Sequence, residues 1–209
     1  LTLTDTLLEV NGGSDNEIIT GTDGDDVLTG GAGDDTLTGG AGADILNGGG
    51  GDDRFVYRSA ADGNAIAAAN SVADADKIIG TFDGSSDTIA IEETFLSDLG
   101  NGDTAMNAAV VETGNADANN DINISSSSMP RDNFVSLSDV QTAVGSTIAN
   151  SANGDETLIA VSNNSGTQYG LYAFEETATN KGNMETGELT LMGVIETDTL
   201  VAGDFSAIN

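Results

Sequence analysis

The sequence predicts an all-β protein, in which a stacked parallel coil of short strands is followed by a mostly antiparallel β region with one short helix. Three observations lead to this fold class. Five nonapeptides follow one another without a gap from Gly12 to Val56, each with an acid at its sixth place and an apolar residue at its eighth. Longer β-branched and aromatic runs near the C-terminus are separated by loops rich in Asn and Gly. One short segment before these runs has apolar residues at helical spacing.

Each nonapeptide combines a turn with a short strand. Glycines concentrated at its first, second and fourth places permit the positive φ values that a tight turn requires. The tail alternates, so the eighth residue points to one face and its neighbours to the other. A unit this small can bury its apolar side chain only against the next unit, so the array is expected to wind into a coil. The eighth places hold Ile19, Leu28, Leu37, Leu46 and Phe55.

The coil segment has too little apolar content to hold itself together. One buried apolar side chain per nonapeptide contributes less than the ordering of a glycine-rich backbone costs. The acids of stacked units would also repel one another, and Arg54 is the single base between Gly12 and Val56. A compact coil therefore requires a ligand that binds carboxylates and turn carbonyls only in the folded form. The sixth places hold Glu17, Asp26, Asp35, Asp44 and Asp53.

A hard divalent cation meets this requirement. Ca²⁺ accepts about six to eight oxygens in flexible geometry, whereas Mg²⁺ retains its water. Zinc and copper are disfavoured because the chain contains no His and no Cys. If two nonapeptides make one full coil, the stacked acids form the pairs Glu17 with Asp35, Asp26 with Asp44, and Asp35 with Asp53. Carbonyls of the glycine turns are expected to help, at Gly31, Gly33, Gly40, Gly42, Gly49 and Gly51.

The repeats resemble the RTX, or haemolysin-type calcium-binding, family. GGAGDDTLT at 30–38 and GGAGADILN at 39–47 match its nonapeptide pattern in full. The unit at 21–29 departs at its second place and the unit at 12–20 at its fourth and sixth, which makes Glu17 the weakest predicted ligand. The resemblance implies a right-handed parallel β-roll of calcium-binding nonapeptides. A disordered glycine-rich linker is the alternative, but it would not keep acid and apolar residues in register over five periods.

The segment after the repeats contributes further strands. Arg54–Tyr57 is predicted to be a terminating strand that covers the apolar end of the coil. Two β-branched runs around an Asp-Gly-Ser-Ser turn then predict a hairpin or a pair of stacked strands over 76–91. This segment is similar to the one that follows the repeats in RTX proteins, which implies a further calcium site from Asp76, Asp83 and Asp87. Turn-forming aspartates at strand ends are the alternative reading.

The C-terminal region is predicted to carry a second core. Ser136 or Ser138 is expected to cap a short helix at 139–144. The loops between the later runs contain Asn and Gly, as antiparallel connections do. Strands are expected at 158–161, 169–174 and 189–195, with a last run to Val201.

Composition divides the chain into five predicted units. Residues 1–11 lack the basic and apolar regions of a signal peptide and a Met, so we expect a fragment of a larger protein. The units are a lead-in strand at 1–11, the RTX β-roll at 12–57, a cap with following strands at 58–98, a polar insertion or loop at 99–133, and a C-terminal β-rich domain at 134–209.

The resemblance also implies a function. The ending from Glu188 to Phe205 looks like the C-terminal region of large RTX surface proteins and adhesins, where the C-terminus is a type I secretion signal. The resemblance therefore implies a calcium-dependent folding and assembly module of a protein secreted to the bacterial cell surface, either an S-layer lattice subunit or an adhesin. The alternative is the C-terminal secretion tail of an RTX enzyme, such as a protease, lipase or alginate epimerase.

The charge of the chain limits its partners. With 35 acids, five bases and a formal charge of −30, the chain is not expected to bind nucleic acid or an anionic membrane. No apolar run reaches the length of a transmembrane span. Without His and Cys, the usual nucleophilic catalytic constellations are impossible, so the chain is expected not to be an enzyme. The expected partners are other copies of the chain, the type I secretion machinery and a cell-surface glycan.

Overall fold

The computed structural model describes residues 7–59, 62, 75–80, 82–92, 110–112, 122–125, 128, 134, 136–144, 156–175, 188–197 and 199–208. One α-helix, α1, spans Leu137–Val144, and a 3-10 helix spans Ala202–Asp204 among these residues. The strands are β1 (Glu9–Asn11), β2 (Ile18–Thr20), β3 (Val27–Ala32), β4 (Thr36–Thr38), β5 (Ile45–Gly50), β6 (Arg54–Tyr57), β7 (Asp76–Ile78), β8 (Thr88–Glu92), β9 (Val110–Glu112), β10 (Ile122–Ser125), β11 (Glu156–Ser162), β12 (Gln168–Glu175), β13 (Leu189–Glu196) and β14 (Phe205–Ile208).

Successive strands of the coil alternate between two sheets. Strands β1, β3, β5 and β7 lie side by side in one sheet, and β2, β4, β6 and β8 lie side by side in the other. All of these neighbours are parallel, and Leu28 lies opposite Leu46 in the first sheet. Leu37 lies opposite Phe55 in the second. Paired residues in strands β1 to β6 are two nonapeptides apart in both sheets, so the predicted period of the coil is confirmed.

The eighth-place side chains form the core of the coil. Each of them is at most 8% exposed, and they belong to one apolar cluster. Ile78 of β7 and Ile89 of β8 join the same cluster, and both are fully buried. The apolar residue of each turn-and-strand unit is thus buried against its neighbours, as the repeat pattern predicts.

The coil does not end at Tyr57, so the prediction that Arg54–Tyr57 terminates it was wrong. Strand β8 continues the column after β6, with Phe55 opposite Ile89, and β14 continues it after β8. Phe55 is bulkier than the other eighth-place residues but points into the core as they do. The edge of β6 opposite β4 is therefore left open, and β8 pairs with it. Of the two alternatives for 76–91, the structure has stacked strands, since β7 and β8 lie in different sheets.

The predicted second core lies in the C-terminal strands. Strands β11, β12 and β13 are antiparallel neighbours, and β13 lies parallel to β7, so they share a sheet with part of the coil. Leu158 of β11 belongs to the core cluster of the coil, whereas Ile159 packs in a second cluster with Val140 and Val144 of α1. Both faces of this part of the sheet are therefore buried.

The helix and the last strand differ in detail from their predictions. Helix α1 starts after Ser136, whose hydroxyl oxygen accepts a hydrogen bond from the backbone N–H of Asp139 at 3.3 Å. Ser136 is thus the capping residue of the two that were considered. The last run to Val201 is not a strand, because the chain there enters the 3-10 helix and pairs with β8 only from Phe205 onwards.

Most of the predicted insertion at 99–133 lies outside the described residues. Strands β9 and β10 fall within it, and β10 lies parallel to both β9 and β11. Of the helices in the described part of the chain, none combines the length and apolar character of a membrane-crossing segment.

Candidate metal centre

The sixth-place acids form two ladders along the coil. In each ladder, a carboxylate Oδ1 accepts a hydrogen bond from the backbone N–H of the acid one layer earlier. Asp44 accepts from Asp26 at 2.8 Å, Asp53 from Asp35 at 3.0 Å, and Asp35 from Glu17 at 2.8 Å. The structure thus brings together the three pairs of acids predicted from the sequence. We call the rows the Asp44 ladder (Asp26, Asp44 and Asp76) and the Asp53 ladder (Glu17, Asp35, Asp53 and Asp87).

The second carboxylate oxygen of Asp35 and Asp44 has no partner. Both residues are at most 1% exposed, and no hydrogen bond from the described residues reaches either Oδ2 atom. Asp26 differs because its Oδ2 atom has donors. Thr22, which stands where the repeat pattern has glycine, donates its backbone N–H to Asp26 Oδ2 at 2.6 Å and its hydroxyl at 3.0 Å. A buried carboxylate oxygen without a donor is costly. The Asp35 and Asp44 positions are therefore incomplete without a positively charged ligand.

The turn glycines leave room for these oxygens. A Cβ on Gly39 would collide with the carboxylate of Asp44, and a Cβ on Gly49 would collide with the carbonyl oxygen of Gly31, one layer earlier. Carboxylate and carbonyl oxygens therefore occupy the space next to the turn backbone that side chains would otherwise fill. The six predicted turn glycines have φ values between 104° and 131°, which other residues rarely adopt. They are Gly31, Gly33, Gly40, Gly42, Gly49 and Gly51.

The structure does not bring Asp76, Asp83 and Asp87 together in one site. The Oδ1 atom of Asp76 accepts from the backbone N–H of Asp44 at 2.9 Å, and that of Asp87 accepts from Asp53 at 3.0 Å. Each of these two aspartates therefore extends a different ladder. Asp83 lies near Asp87 instead, and its N–H donates to Asp87 Oδ2 at 2.8 Å.

Burial raises the pKa of several ladder carboxyls. For Asp44 it raises the pKa to about 7, with the charge of Asp26 adding to the rise and the hydrogen bond from the Asp26 N–H opposing it. Burial is also the main cause of the raised pKa values of Asp53, Asp76 and Asp87. At neutral pH the metal-free coil must therefore either hold charged carboxylates away from water or keep some of them protonated.

The donor set between successive turns fits a calcium ion. Within the described residues, no three acidic side chains are close enough to hold a metal ion by themselves. A ladder site offers two carboxylates together with turn carbonyls, and Ca²⁺ accepts such an all-oxygen set. The bound ion would supply the positive charge that the chain lacks at these positions. Which individual residue binds each ion stays a prediction.

A further row of side chains was not predicted from the sequence. Asp34 Oδ1 accepts from the backbone N–H of Asp52 at 3.0 Å, and Asp25 Oδ1 accepts from Ala43 at 2.9 Å. These residues occupy the fifth places of the nonapeptides. The signal in the sequence was the run of Asn or Asp at four of the five fifth places, which repeats at the same interval as the ladders.

Comparison with known proteins identifies the repeats. Residues 11–46, 20–55 and 29–62 match the family model for the RTX calcium-binding nonapeptide repeat (4 copies). The comparison with curated proteins gave no match. Among solved structures, the chain is similar to the AlgE6R3 subunit of the mannuronan C5-epimerase from Azotobacter vinelandii, with 22% identity, a TM-score of 0.50, and coverage of 97% of this chain and 78% of that one. The AlgE6R2 subunit of the same enzyme has 21% identity and a TM-score of 0.46, with coverage of 97% and 87%.

Fold and site together define a β-roll that binds metal through its turns. The predicted fold class is confirmed, since the described residues are mostly β with parallel coil sheets and one α-helix. Residues 11–62 carry RTX repeats, which are a structural calcium-binding module. The ion is Ca²⁺, as the oxygen-only donor set indicated.

Proposed function

We propose that the chain is a calcium-dependent folding and assembly module of a secreted bacterial cell-surface protein, either an S-layer lattice subunit or an adhesin. A type I system would export it unfolded, and extracellular calcium would then order it. RTX repeats occur in secreted proteins, which is consistent with an extracellular location. The observation that carries the proposal is the unpartnered, buried carboxylate oxygen at Asp35 and Asp44.

The ladders provide the folding switch. Where calcium is scarce, bringing Asp26, Asp44 and Asp76 into one row places like charges in a desolvated position, which favours the unfolded chain. In the folded chain, the hydrogen bonds of the ladders fix one oxygen of Asp35 and of Asp44 and leave the other without a donor among the described residues. A ligand that binds only the folded form stabilises it by mass action. Extracellular calcium sites of about 10⁻⁴–10⁻³ M affinity suit such a switch.

The exposed start of the coil supports the assembly part of the proposal. Strands β1 and β2 are the last described strands at this end of their sheets, so each has a free hydrogen-bonding edge among the described residues. Ile18 of β2 is 84% exposed, and Leu7, just before β1, is 70% exposed. Parallel edge strands with exposed apolar residues favour pairing with another chain or another copy.

The second candidate is the secretion tail of an RTX enzyme. It is favoured by the similarity to a repeat subunit of an alginate-modifying epimerase, although that similarity concerns the fold alone. The two candidates differ in their state after folding. A lattice or adhesin module is expected to form larger assemblies when calcium is added, which light scattering would detect, whereas a tail is expected to remain monomeric.

A calcium titration followed by far-UV circular dichroism tests the folding switch. Asp35→Ala removes a ladder carboxylate and leaves the Glu17 N–H without its acceptor, at a cost of about 1–3 kcal/mol. We expect the calcium midpoint of this variant to rise. The matched control is Asp23→Asn, which removes one exposed charge from a neighbouring turn and should leave the midpoint unchanged. Equal midpoints for Asp35→Ala and the parent chain would contradict the proposal.

A further inference from the structure

A cleft lies between the β7–β8 turn and the segment that leads into β14. It has a volume of about 470 Å³ and lies outside the turns of the nonapeptides. None of the described residues that line it is basic, although two of them are aspartates. The polar lining consists of Asp83, Ser85, Thr197, Thr199 and Asp204.

Asp204 lines this cleft and has one unpartnered carboxylate oxygen among the described residues. The residue is only 1% exposed, and its Oδ2 atom accepts a hydrogen bond from the backbone N–H of Val201 at 2.7 Å. Its Oδ1 atom receives no hydrogen bond from the described residues. A Cβ placed on Gly84 would lie 2.9 and 3.0 Å from the two oxygens, so the carboxylate lies against the β7–β8 turn. A buried oxygen of this kind indicates a ligand that supplies positive charge.

Asp83 is next to Gly84 in the same turn and is held in a fixed orientation. Its Oδ1 atom accepts hydrogen bonds from the backbone N–H and the hydroxyl of Ser85, at 2.9 and 2.7 Å. These bonds lower the pKa of Asp83. Burial raises the pKa of Asp204, and the charge of Asp83 adds to this rise while the Val201 N–H opposes it. Two aspartates thus line one cleft that has no base in its described lining.

Asp204 does not belong to the Asp53 ladder. Phe205 lies opposite Ile89 in the β14–β8 pair, so the preceding residue, Asp204, falls opposite Thr88 rather than opposite Asp87. Asp204 is therefore one residue away from the position at which an acid would stack on Asp87. The cleft is a separate place in the fold, with its own set of oxygens.

We propose that Asp204 and Asp83 bind a hard divalent cation in this cleft, which fastens β14 to the β7–β8 turn. The described lining residues offer carboxylate and hydroxyl oxygens and no nitrogen or sulfur side-chain ligand, and this set suits calcium better than a transition metal. The ion would neutralise the buried charge of Asp204. Because β14 extends the sheet that begins with β2, the site ties the C-terminal end of the described chain to the coil.

Calcium counting on the full chain tests this site. The parent, Asp204→Asn, Asp83→Asn and Glu92→Gln would each be saturated with calcium and dialysed, and the bound ions would be counted by atomic emission and native mass spectrometry. Asparagine at 204 keeps an oxygen for the Val201 N–H, and asparagine at 83 keeps an acceptor for Ser85. Glu92, at the other end of β8, is a control for the loss of one charge.

We expect both asparagine variants to bind one ion fewer than the parent and Glu92→Gln to bind the same number. Equal counts in all four proteins would overturn the proposal. Should Asp204→Asn fail to fold, a crystal structure of the parent chain soaked in a lanthanide decides instead. An anomalous peak bonded to Asp204 Oδ1 and Asp83 supports the site, whereas a water or a protein donor at Oδ1 refutes it. Calcium-dependent folding of the coil is measured separately, so failure here leaves the proposed function standing.

Discussion

Replacing Asp44 by asparagine separates the cost of its buried charge in the metal-free coil from its contribution to calcium binding. Asp44 is fully buried, and its Oδ1 atom accepts the N–H of Asp26 while Oδ2 has no partner among the described residues. Asparagine keeps an oxygen for Asp26 and replaces the unpartnered oxygen by an amide group without charge. The variant should therefore make the metal-free coil more stable and its response to calcium weaker.

The raised pKa of Asp44 sets the magnitude of this effect. Its carboxyl has a pKa of about 7 in the metal-free fold, against 3.8 for the unperturbed group. Each pKa unit corresponds to about 1.4 kcal/mol, so at pH 8 the buried charge costs the folded state at most about 4 kcal/mol, and less where solvent screens it. Asp44→Asn removes this cost and should raise the free energy of unfolding in chelator by up to about 4 kcal/mol.

Far-UV circular dichroism at pH 8 would measure both effects, as the folded fraction in chelator and as the rise in stability when millimolar calcium is added. In chelator, Asp44→Asn should be more folded than the parent. The gain in stability on adding calcium should be smaller than in the parent, because one predicted ligand is lost. The control is Asp23→Asn, which removes an exposed charge and should behave as the parent in both conditions. If Asp44→Asn and Asp23→Asn are equally stable in chelator, the assigned cost of the buried charge is wrong.

Two other predictions concern pH and the turn glycines. Because the folded metal-free chain binds protons at Asp44 up to about pH 7 and the unfolded chain only up to about pH 4, its stability in chelator should fall as the pH rises through this window. The folded fraction in chelator, measured by far-UV circular dichroism at pH 5 and pH 8, checks this, and a larger folded fraction at pH 8 would contradict it. Gly48→Ala should destabilise the calcium-bound coil by about 1–3 kcal/mol, since its Cβ would collide with the carboxylate of Asp53. Gly50→Ala has open space around its Cβ and is the matched control. Equal melting temperatures of the two alanine variants in calcium would show that the first-place glycine is not required.

The coil was predictable because its information is local and repeated. A unit with an acid at the sixth place and an apolar residue at the eighth places Leu28 and Leu46 in one sheet and Leu37 in the other, whatever the rest of the chain does. The pairing of acids followed directly from the two-nonapeptide period. No long-range contact had to be known for either conclusion.

The continuation of the coil depended on contacts distant in sequence. Asp76 stacks on Asp44 across 32 residues and Asp87 on Asp53 across 34, whereas the repeats themselves stack across 18. Asp76 and Ile78 have the same spacing as the acid and the apolar residue of a repeat. Residues 57–75 separate them from the last nonapeptide, so the nine-residue period is interrupted and does not predict their place in the coil.

The position of Asp204 also could not be predicted from the sequence. It depends on the parallel pairing of β14 with β8, which joins segments more than a hundred residues apart. An acid before Phe205 resembles any strand start until its carboxylate is seen against Gly84. The neighbouring strand β13 joins β7 in the same way, through pairing that no local pattern specifies.

Hydrogen exchange followed by mass spectrometry tests the dependence of the coil on calcium most directly. Backbone amides of residues 18–57 would be compared in excess chelator and in millimolar calcium, with the full chain at neutral pH. We expect these amides to exchange freely in chelator and to become protected when calcium is added. Equal protection of β2 to β6 in both conditions would show that the coil holds itself together without the ion.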